Sequence, residues 1–296
     1  MTEGYGALRH GAAWMDLSAH GRIVARGRDR ARLLHNICSN EVKKMTPGMG
    51  SYAFLLSPQG RIQADMHLLC LADHFLIDTE PELREKVRQH IQRYIIADQV
   101  ELEDVTGVTA AIAVEGPGAE RIRPAAGGHN IAPFSLTGQP GYRIYCSAEE
   151  KAGVIRELES RELVSGGAVP ATAEDARAVR IENGKPRYGE DIRETSLVQE
   201  TQQLHAVSFT KGCYIGQEIV ERVRAQGHVN KKLVRVEFDT ADPVAPGTKL
   251  TAAGAEVGEV TSSVNSPQSG KVIALAVVRT QFAEPGTLFD SGAQLR

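Results

Sequence analysis

No stretch of the 296-residue chain approaches the ~18 consecutive apolar residues that a membrane-spanning helix needs. The first residues also lack the basic, apolar and small-residue order of a secretory signal, so a cytoplasmic protein is expected. The four cysteines, Cys38, Cys70, Cys146 and Cys213, lie far apart and form no C-x-x-C, which removes locally written zinc knuckles and cluster-binding sets. No metal site is expected. A phosphate loop of the form G-x-x-x-x-G-K-[ST] is missing. The nine histidines are scattered, and no Ser-His-Asp order is legible. A formal net charge of -3 argues against a whole-surface nucleic-acid binder. No internal repeat or low-complexity stretch is apparent.

What is there matches an ordinary globular protein: 42% hydrophobic and 24% charged residues. The length exceeds the usual single-domain size, so two or three domains with real cores are expected. Residues 15–25 read as a strand-like lead-in, and Asp29 is placed to cap a helix through Leu33, Leu34 and Ile37. A meander follows between Tyr52 and Thr79, turning at Ser57-Pro58-Gln59-Gly60. Its long strand alternates Ile62, Ala64, Met66, Leu68 and Cys70 with Gln63, Asp65 and His67. Period two therefore displays Asp65 and His67 on one face, toward water or a cavity.

Pro81 opens a helix carrying Leu83, Val87, Ile91 and Ile95, with Glu82 and Lys86 spaced for an i,i+4 pair. Strands are expected near 100–105, 108–114 and 142–146, and Ser147 is placed to cap the helix that buries Val154, Ile155 and Leu158. Thr172-x-x-Asp175 reads as a capping box for a helix from about Ala173 to Glu182, stopped at Asn183-Gly184. Arg180 and Glu182 fall in its last turn, with Arg187, Glu190, Asp191 and Arg193 just beyond. Surface salt bridging is one reading of this cluster; a carboxylate that accepts a ligand's N-H groups is the other. From Leu233 onward the helix period vanishes and turns recur at Asp242-Pro243, Pro246-Gly247, Ala253-Gly254, Ser266-Pro267 and Pro285-Gly286. That spacing predicts a small antiparallel barrel or sandwich.

The most distinctive local chemistry is Lys211-Gly212-Cys213-Tyr214-Ile215-Gly216-Gln217-Glu218. Lys211 sets a cation two residues from the thiol, and a helix starting near Gly216 points its positive end at the sulfur. Both features favour the thiolate, whereas a lone intracellular cysteine is more often inert. The basic run Arg222, Arg224, His228, Lys231, Lys232 and Arg235 is either a solvated face or a surface for a ligand's anionic tail.

Lys211 to Glu218, followed by Arg222, Gly227 and Lys231-Lys232-Leu233, resembles the signature of the folate-binding YgfZ proteins. These are relatives of the glycine-cleavage T-protein that act in iron-sulfur cluster assembly and repair. The stretch from Arg180 to Gly189 and the segments Gly258–Ser263 and Ala274–Ala276 are similar to the same family. The resemblance implies an α+β, multi-domain T-protein-like body around a central funnel, with a folate-binding region over 1–228 and a C-terminal antiparallel β-barrel over 229–296. It implies tetrahydrofolate or a one-carbon derivative as cofactor, iron-sulfur enzymes or assembly proteins as partners, and the cysteine loop at the funnel. Cys213, Lys211 and Asp65 are the implied chemical residues, and Glu182, Arg180, Tyr214, Gln217 and Arg222 the implied folate contacts, with Glu182 as the pterin anchor. T-proteins carry paired aspartates where this chain has Ala64-Asp65, a departure that bears on the transfer role; they also usually lack the cysteine and tend to be longer, and these two departures favour the YgfZ side. Two functions follow as expectations: a folate-binding accessory protein for iron-sulfur enzymes with Cys213 as its thiol, or a folate-dependent aminomethyl- or methyltransferase using Asp65.

Overall fold

A computed structural model describes residues 1–123, 127–160 and 166–296. Three five-stranded sheets dominate it. The first runs in the order Gly50–Leu56, Ile62–Cys70, His74–Thr79, Gly21–Arg26, Glu101–Asp104, all antiparallel. The meander expected between Tyr52 and Thr79 supplies its first three strands. The second sheet runs Val169–Pro170, Ala13–Asp16, Thr109–Glu115, Gly141–Ser147, Asn130–Ala132, with one parallel pair at the Val169 edge. The expected lead-in over 15–25 is thus two strands that join different sheets. The third sheet, Lys249–Ala252, Ala255–Asn265, Val272–Arg279, Lys231–Phe238, Gln294–Leu295, is antiparallel throughout, as the turn spacing predicts.

Each sheet has its own apolar packing. Ile62, Ala64, Met66 and Leu68 enter the core of the first sheet together with Phe54, Ile77, Val87 and Ile91. The alternating strand is buried at every expected apolar position and only partly buried at Gln63, Asp65 and His67. Ala111 and Ala113 join Leu69, Leu76 and Val179 between the first two sheets. Val236, Val260, Ala274 and Phe289 fill the third.

Helix signals are read with mixed success. Thr172 caps Ala173–Glu182 with both bonds of a capping box to Asp175, and the helix stops at Asn183. Asp29 does precede Arg30–Ile37, but its carboxylate accepts from the Gln99 backbone N-H at 2.8 Å instead of capping the helix. Pro81–Leu83 is a 3-10 turn and the α-helix spans Arg84–Arg93, so Glu82 and Lys86 do not share a helical face. Glu82 pairs with Arg187 and Lys86 with Glu194. Ser147 lies three residues before Glu150, the residue that precedes Lys151–Glu159, and exchanges hydrogen bonds with it.

The Arg180–Arg193 cluster is more than surface charge. Asp191 is buried and accepts from Arg180 at 2.7 Å, Thr261 Oγ1 at 2.6 Å, Ser262 Oγ at 2.7 Å and the Arg187 N-H at 3.0 Å. It bolts the third sheet to the segment that follows the capped helix. Removing one partner from so enclosed a set strands the others without bonds.

Candidate functional site

Where the first two sheets and the segment after Glu182 meet, a cavity of about 310 Å³ opens, lined by Tyr52, Asp65, His67, Glu80, Phe134, Arg143, Arg180, Lys185, Arg187 and His205 among others. Strand geometry puts three of these together: Tyr52 pairs with His67 across the hairpin, and Asp65 pairs with the neighbouring Phe54. The Tyr52 hydroxyl donates to Asp65 Oδ2 at 2.7 Å. Ring centroids of Tyr52 and His67 lie 4.8 Å apart, Tyr52 and His205 5.6 Å, and His67 and Phe134 4.6 Å. The wall beside Asp65 is therefore aromatic, and Glu80 is the second carboxyl of the lining.

Among the described residues no cation lies within ion-pair reach of Asp65. Burial outweighs the Tyr52 hydrogen bond and, with the Glu80 charge nearby, pushes the carboxyl up to about 6. His67 is held well below the usual histidine range by burial and by the Arg143 charge, so it is neutral at physiological pH. Asp78, one strand over and paired in register with His67, shows the opposite arrangement. It accepts from Arg143 at 2.9 Å and from the Tyr145 hydroxyl at 2.7 Å, and lies 3.0 Å from His20 Nδ1. The Arg143 charge, with the His20 hydrogen bond, overcomes burial and holds that carboxyl ionised. Asp78 fixes the cavity wall, and Asp65 is the group left free to change protonation.

A second and larger cleft of about 580 Å³ shares Glu80, Leu136, Arg180 and Arg187 with the cavity and extends past Trp14, Leu17, Thr172 and Arg177. The two spaces adjoin along these residues.

The cysteine octapeptide lies elsewhere. Cys213 is exposed, the other three cysteines are buried, and its groove is lined by His35, Asn36, Lys43, Gly212, Tyr214 and Ile215. Among the described residues none lines both this groove and the cavity, so the expected position of the thiol at the funnel is corrected. The expected cation at the thiol is corrected too. Lys211 is buried, and its ammonium donates to the carbonyls of His35, Cys38 at 2.8 Å and Asn40 at 2.8 Å. These carbonyls sit at and beyond the end of Arg30–Ile37, where a helix leaves acceptors unpaired. The lysine completes that helix end. The expected helix start is found: Gly216, at φ +83°, precedes Gln217–Gln226. A Cβ on Gly216 would meet the Ser57 carbonyl oxygen at 2.7 Å, so glycine lets the loop close on the hairpin turn.

The remaining expected contacts divide. Arg180 lines the cavity but is committed to Glu190 and Asp191. Glu182 lies outside the lining; its carboxylate accepts from the Tyr5 hydroxyl at 2.9 Å, from Arg9 and from the Ser266 hydroxyl. It joins the N-terminal helix Glu3–His10 to the third sheet. Tyr214 is buried beside the groove, with Lys211 Nζ 4.9 Å from its ring centroid. Gln217 begins its helix without reaching the cavity, and Arg222 pairs at 2.9 Å with Glu218 on the exposed helix face. Sequence reading had found Asp65 and His67 but missed Tyr52, Phe134, Lys185 and His205. Only Tyr52 had a usable signal: it precedes the Ser57–Gly60 turn on the strand that pairs with the one carrying Asp65 and His67, and a register shift between Leu55 and Leu56 makes His67 its direct partner.

Comparison with known proteins agrees with this architecture. Residues 1–131 match the GCVT N-terminal domain, and 231–293 match the glycine cleavage T-protein C-terminal barrel domain. An aminomethyltransferase of Geobacillus kaustophilus is 28% identical over 97% of this chain and 84% of its own length. One from Rubrobacter xylanophilus is 28% identical over 92% and 77%. The crystal structure of the glycine cleavage system aminomethyltransferase T from Bartonella henselae superposes with a TM-score of 0.87 at 17% identity, covering 99% of this chain and 86% of that one. The chain has a T-protein-like fold of mixed helices and sheets, with the antiparallel C-terminal sheet as its barrel domain. Among the described residues no helix is long and apolar enough to cross a membrane.

Proposed function

We propose that this protein binds tetrahydrofolate or a one-carbon derivative in the cavity around Asp65 and transfers a one-carbon unit from an amine donor. The observation that carries this reading is a carboxyl without a cationic partner, poised at about 6 inside an aromatic wall. The residues suit the cofactor. A flat heterocycle with several N-H groups matches the rings of Tyr52, His67 and Phe134 and the acceptor Asp65, and the adjoining cleft accommodates an extended tail. Bound tetrahydrofolate supplies the secondary amine that takes up the carbon.

In this reading Asp65 works as the carboxylate. It orients the reacting amine and offsets the positive charge that grows there, at a cost lower than in water because the site is shielded. Tyr52 holds one Asp65 oxygen, leaving the other for the ligand. Neutral His67 adds ring surface without adding a competing cation. Arg143, already balanced by Asp78, stiffens the wall from behind. Glu182 serves at one remove, fastening the Glu3–His10 helix and the third sheet to the capped helix. The test is calorimetric titration with tetrahydrofolate, followed by an assay of folate-dependent one-carbon transfer. Micromolar binding together with turnover supports the proposal; absence of binding sinks it.

A second reading has its own observation: Cys213 alone of the four thiols is exposed, in a groove apart from the cavity. It makes the chain a folate-binding accessory to iron-sulfur enzymes, with the thiol acting on a partner rather than on the folate. Such a partner supplies any further cluster ligands, since one cysteine cannot hold a cluster alone. Complementation by a Cys213→Ala protein, scored by iron-sulfur enzyme activity under oxidative stress, decides it; full rescue removes the thiol role.

A further inference from the structure

The cavity holds a cation that the proposed transfer does not use and that no ion pair occupies. Arg143 is paired with Asp78, Arg180 with Glu190 and Asp191, and Arg187 with Glu80 and Glu82. Among the described residues, Lys185 alone of the lining cations has no carboxylate within ion-pair reach, and its Nζ donates to the Ser135 carbonyl. The chain aims it there. The capped helix stops at Glu182, Gly184 turns at φ +70°, and Pro186 follows, leaving Lys185 in the lining of the cavity that Asp65 also lines.

We propose that Lys185 is an aldehyde-binding residue, whose amine condenses with a small carbonyl compound, formaldehyde being the simplest, to form an imine in the cavity. Burial, with Arg143 and Arg180 nearby, lowers its amine to about 8 despite the opposing charges of Glu115 and Asp65. Neutral amine is therefore abundant near pH 7.5. A neutral amine keeps its donation to Ser135 and frees its lone pair for attack. In the condensation the nitrogen bonds to the carbonyl carbon, and the carbonyl oxygen takes a proton to give a carbinolamine. Asp65, a carboxyl that is partly protonated near neutrality, gives a proton to the departing hydroxyl, and the nitrogen releases one of its own. Amine and aldehyde become imine and water, with no oxidant or reductant required. Nothing in these steps needs folate.

The experiment treats the intact protein with limiting formaldehyde and cyanoborohydride, which fixes an imine as a methylated lysine, and maps the digest by mass spectrometry. At pH 7 the Lys185 peptide should be labelled about tenfold or more ahead of exposed Lys43 and Lys44, because an amine lowered to about 8 carries far more free base than an unshifted lysine side chain. The preference should vanish in denaturant and in Lys185→Arg. Labelling of Lys185 no faster than Lys43 overturns the proposal. Should Lys185→Arg fail to fold, the wild-type pH profile decides: a half-point near 8 supports the assignment, and one above 10 overturns it. Tetrahydrofolate binding without preferential labelling overturns this inference and leaves the transfer function standing; preferential labelling without tetrahydrofolate binding does the reverse.

Discussion

The Asp65 cavity and the Cys213 groove surround their carboxyl and their thiol differently. Around Asp65 the protein supplies a hydrogen-bonding phenol, aromatic walls, a neutral imidazole and a balanced arginine, and the carboxyl is perturbed as a result. Around Cys213 it supplies exposure, a shallow groove and a lysine that faces the other way. Preorganised surroundings mark a site where the chain itself does chemistry on a bound ligand. Bare exposure fits a group used by another molecule. On the proposed function, folate belongs to the cavity and any thiol role to a partner.

The largest effect expected from that division is at Asp65. Asp65→Asn keeps an acceptor for Tyr52 and removes the charge, so folate-dependent turnover should fall by about 10²- to 10⁴-fold. Cys213→Ser should leave the same turnover unchanged. Equal loss in the two variants would break the distinction between the regions. Wild-type turnover should decline as pH falls below about 6, where Asp65 takes up a proton. Stability should move the opposite way. Because the folded value of Asp65 lies above that of the unfolded chain, the folded state binds more protons between about pH 4 and 6. Stability therefore falls as pH rises through that window, and Asp65→Asn should be more stable at pH 7 by about 2 kcal/mol, allowing for partial exposure to the cavity. Denaturant melts of both proteins at pH 4 and pH 7 check this; an equal difference at the two pH values contradicts it.

The next effect sharpens the groove side. If Lys211 completes a helix end rather than activating a thiol, Lys211→Met leaves three carbonyls without their donor and should cost about 3 kcal/mol. The pH dependence of Cys213 alkylation, measured below the melting transition, should not change. A rise in the apparent thiol pKa would restore the cation to the role that sequence spacing assigned it.

What could be read ahead of the structure was whatever neighbouring residues decide. Thr172 and Asp175 satisfy each other within one turn, and the 62–70 strand declares its faces by alternation, so both were legible. Asp65 followed from that second pattern. Side-chain direction over longer reach was not. Lys211 stands two residues from Cys213 in the chain, yet its long stem finds carbonyls more than 170 positions away, because unpaired acceptors at a helix end outbid a nearby thiol. Glu182 ends a well-predicted helix but meets Tyr5 and Ser266, partners set by how the sheets pack. The cavity drew its rings from 52, 67, 134 and 205, and only the first two are joined by one hairpin.

The smallest effect tests whether the basic run past the octapeptide belongs to either region. Arg222 lies on the exposed face of Gln217–Gln226, paired with Glu218 one turn earlier. Such pairs hold little, since water screens the attraction and two long side chains lose freedom. Arg222→Ala should therefore cost no more than about 0.5 kcal/mol and leave both tetrahydrofolate affinity and Cys213 reactivity unchanged. If Arg222 instead received the anionic tail of the folate, affinity would fall several-fold and more steeply at low salt, where exposed charges act over longer distances. Titrations of wild type and variant at two ionic strengths separate these outcomes. A salt-dependent loss would mean that the ligand reaches out of the cavity to the helix beside Cys213, and the two regions would have to be treated as one site.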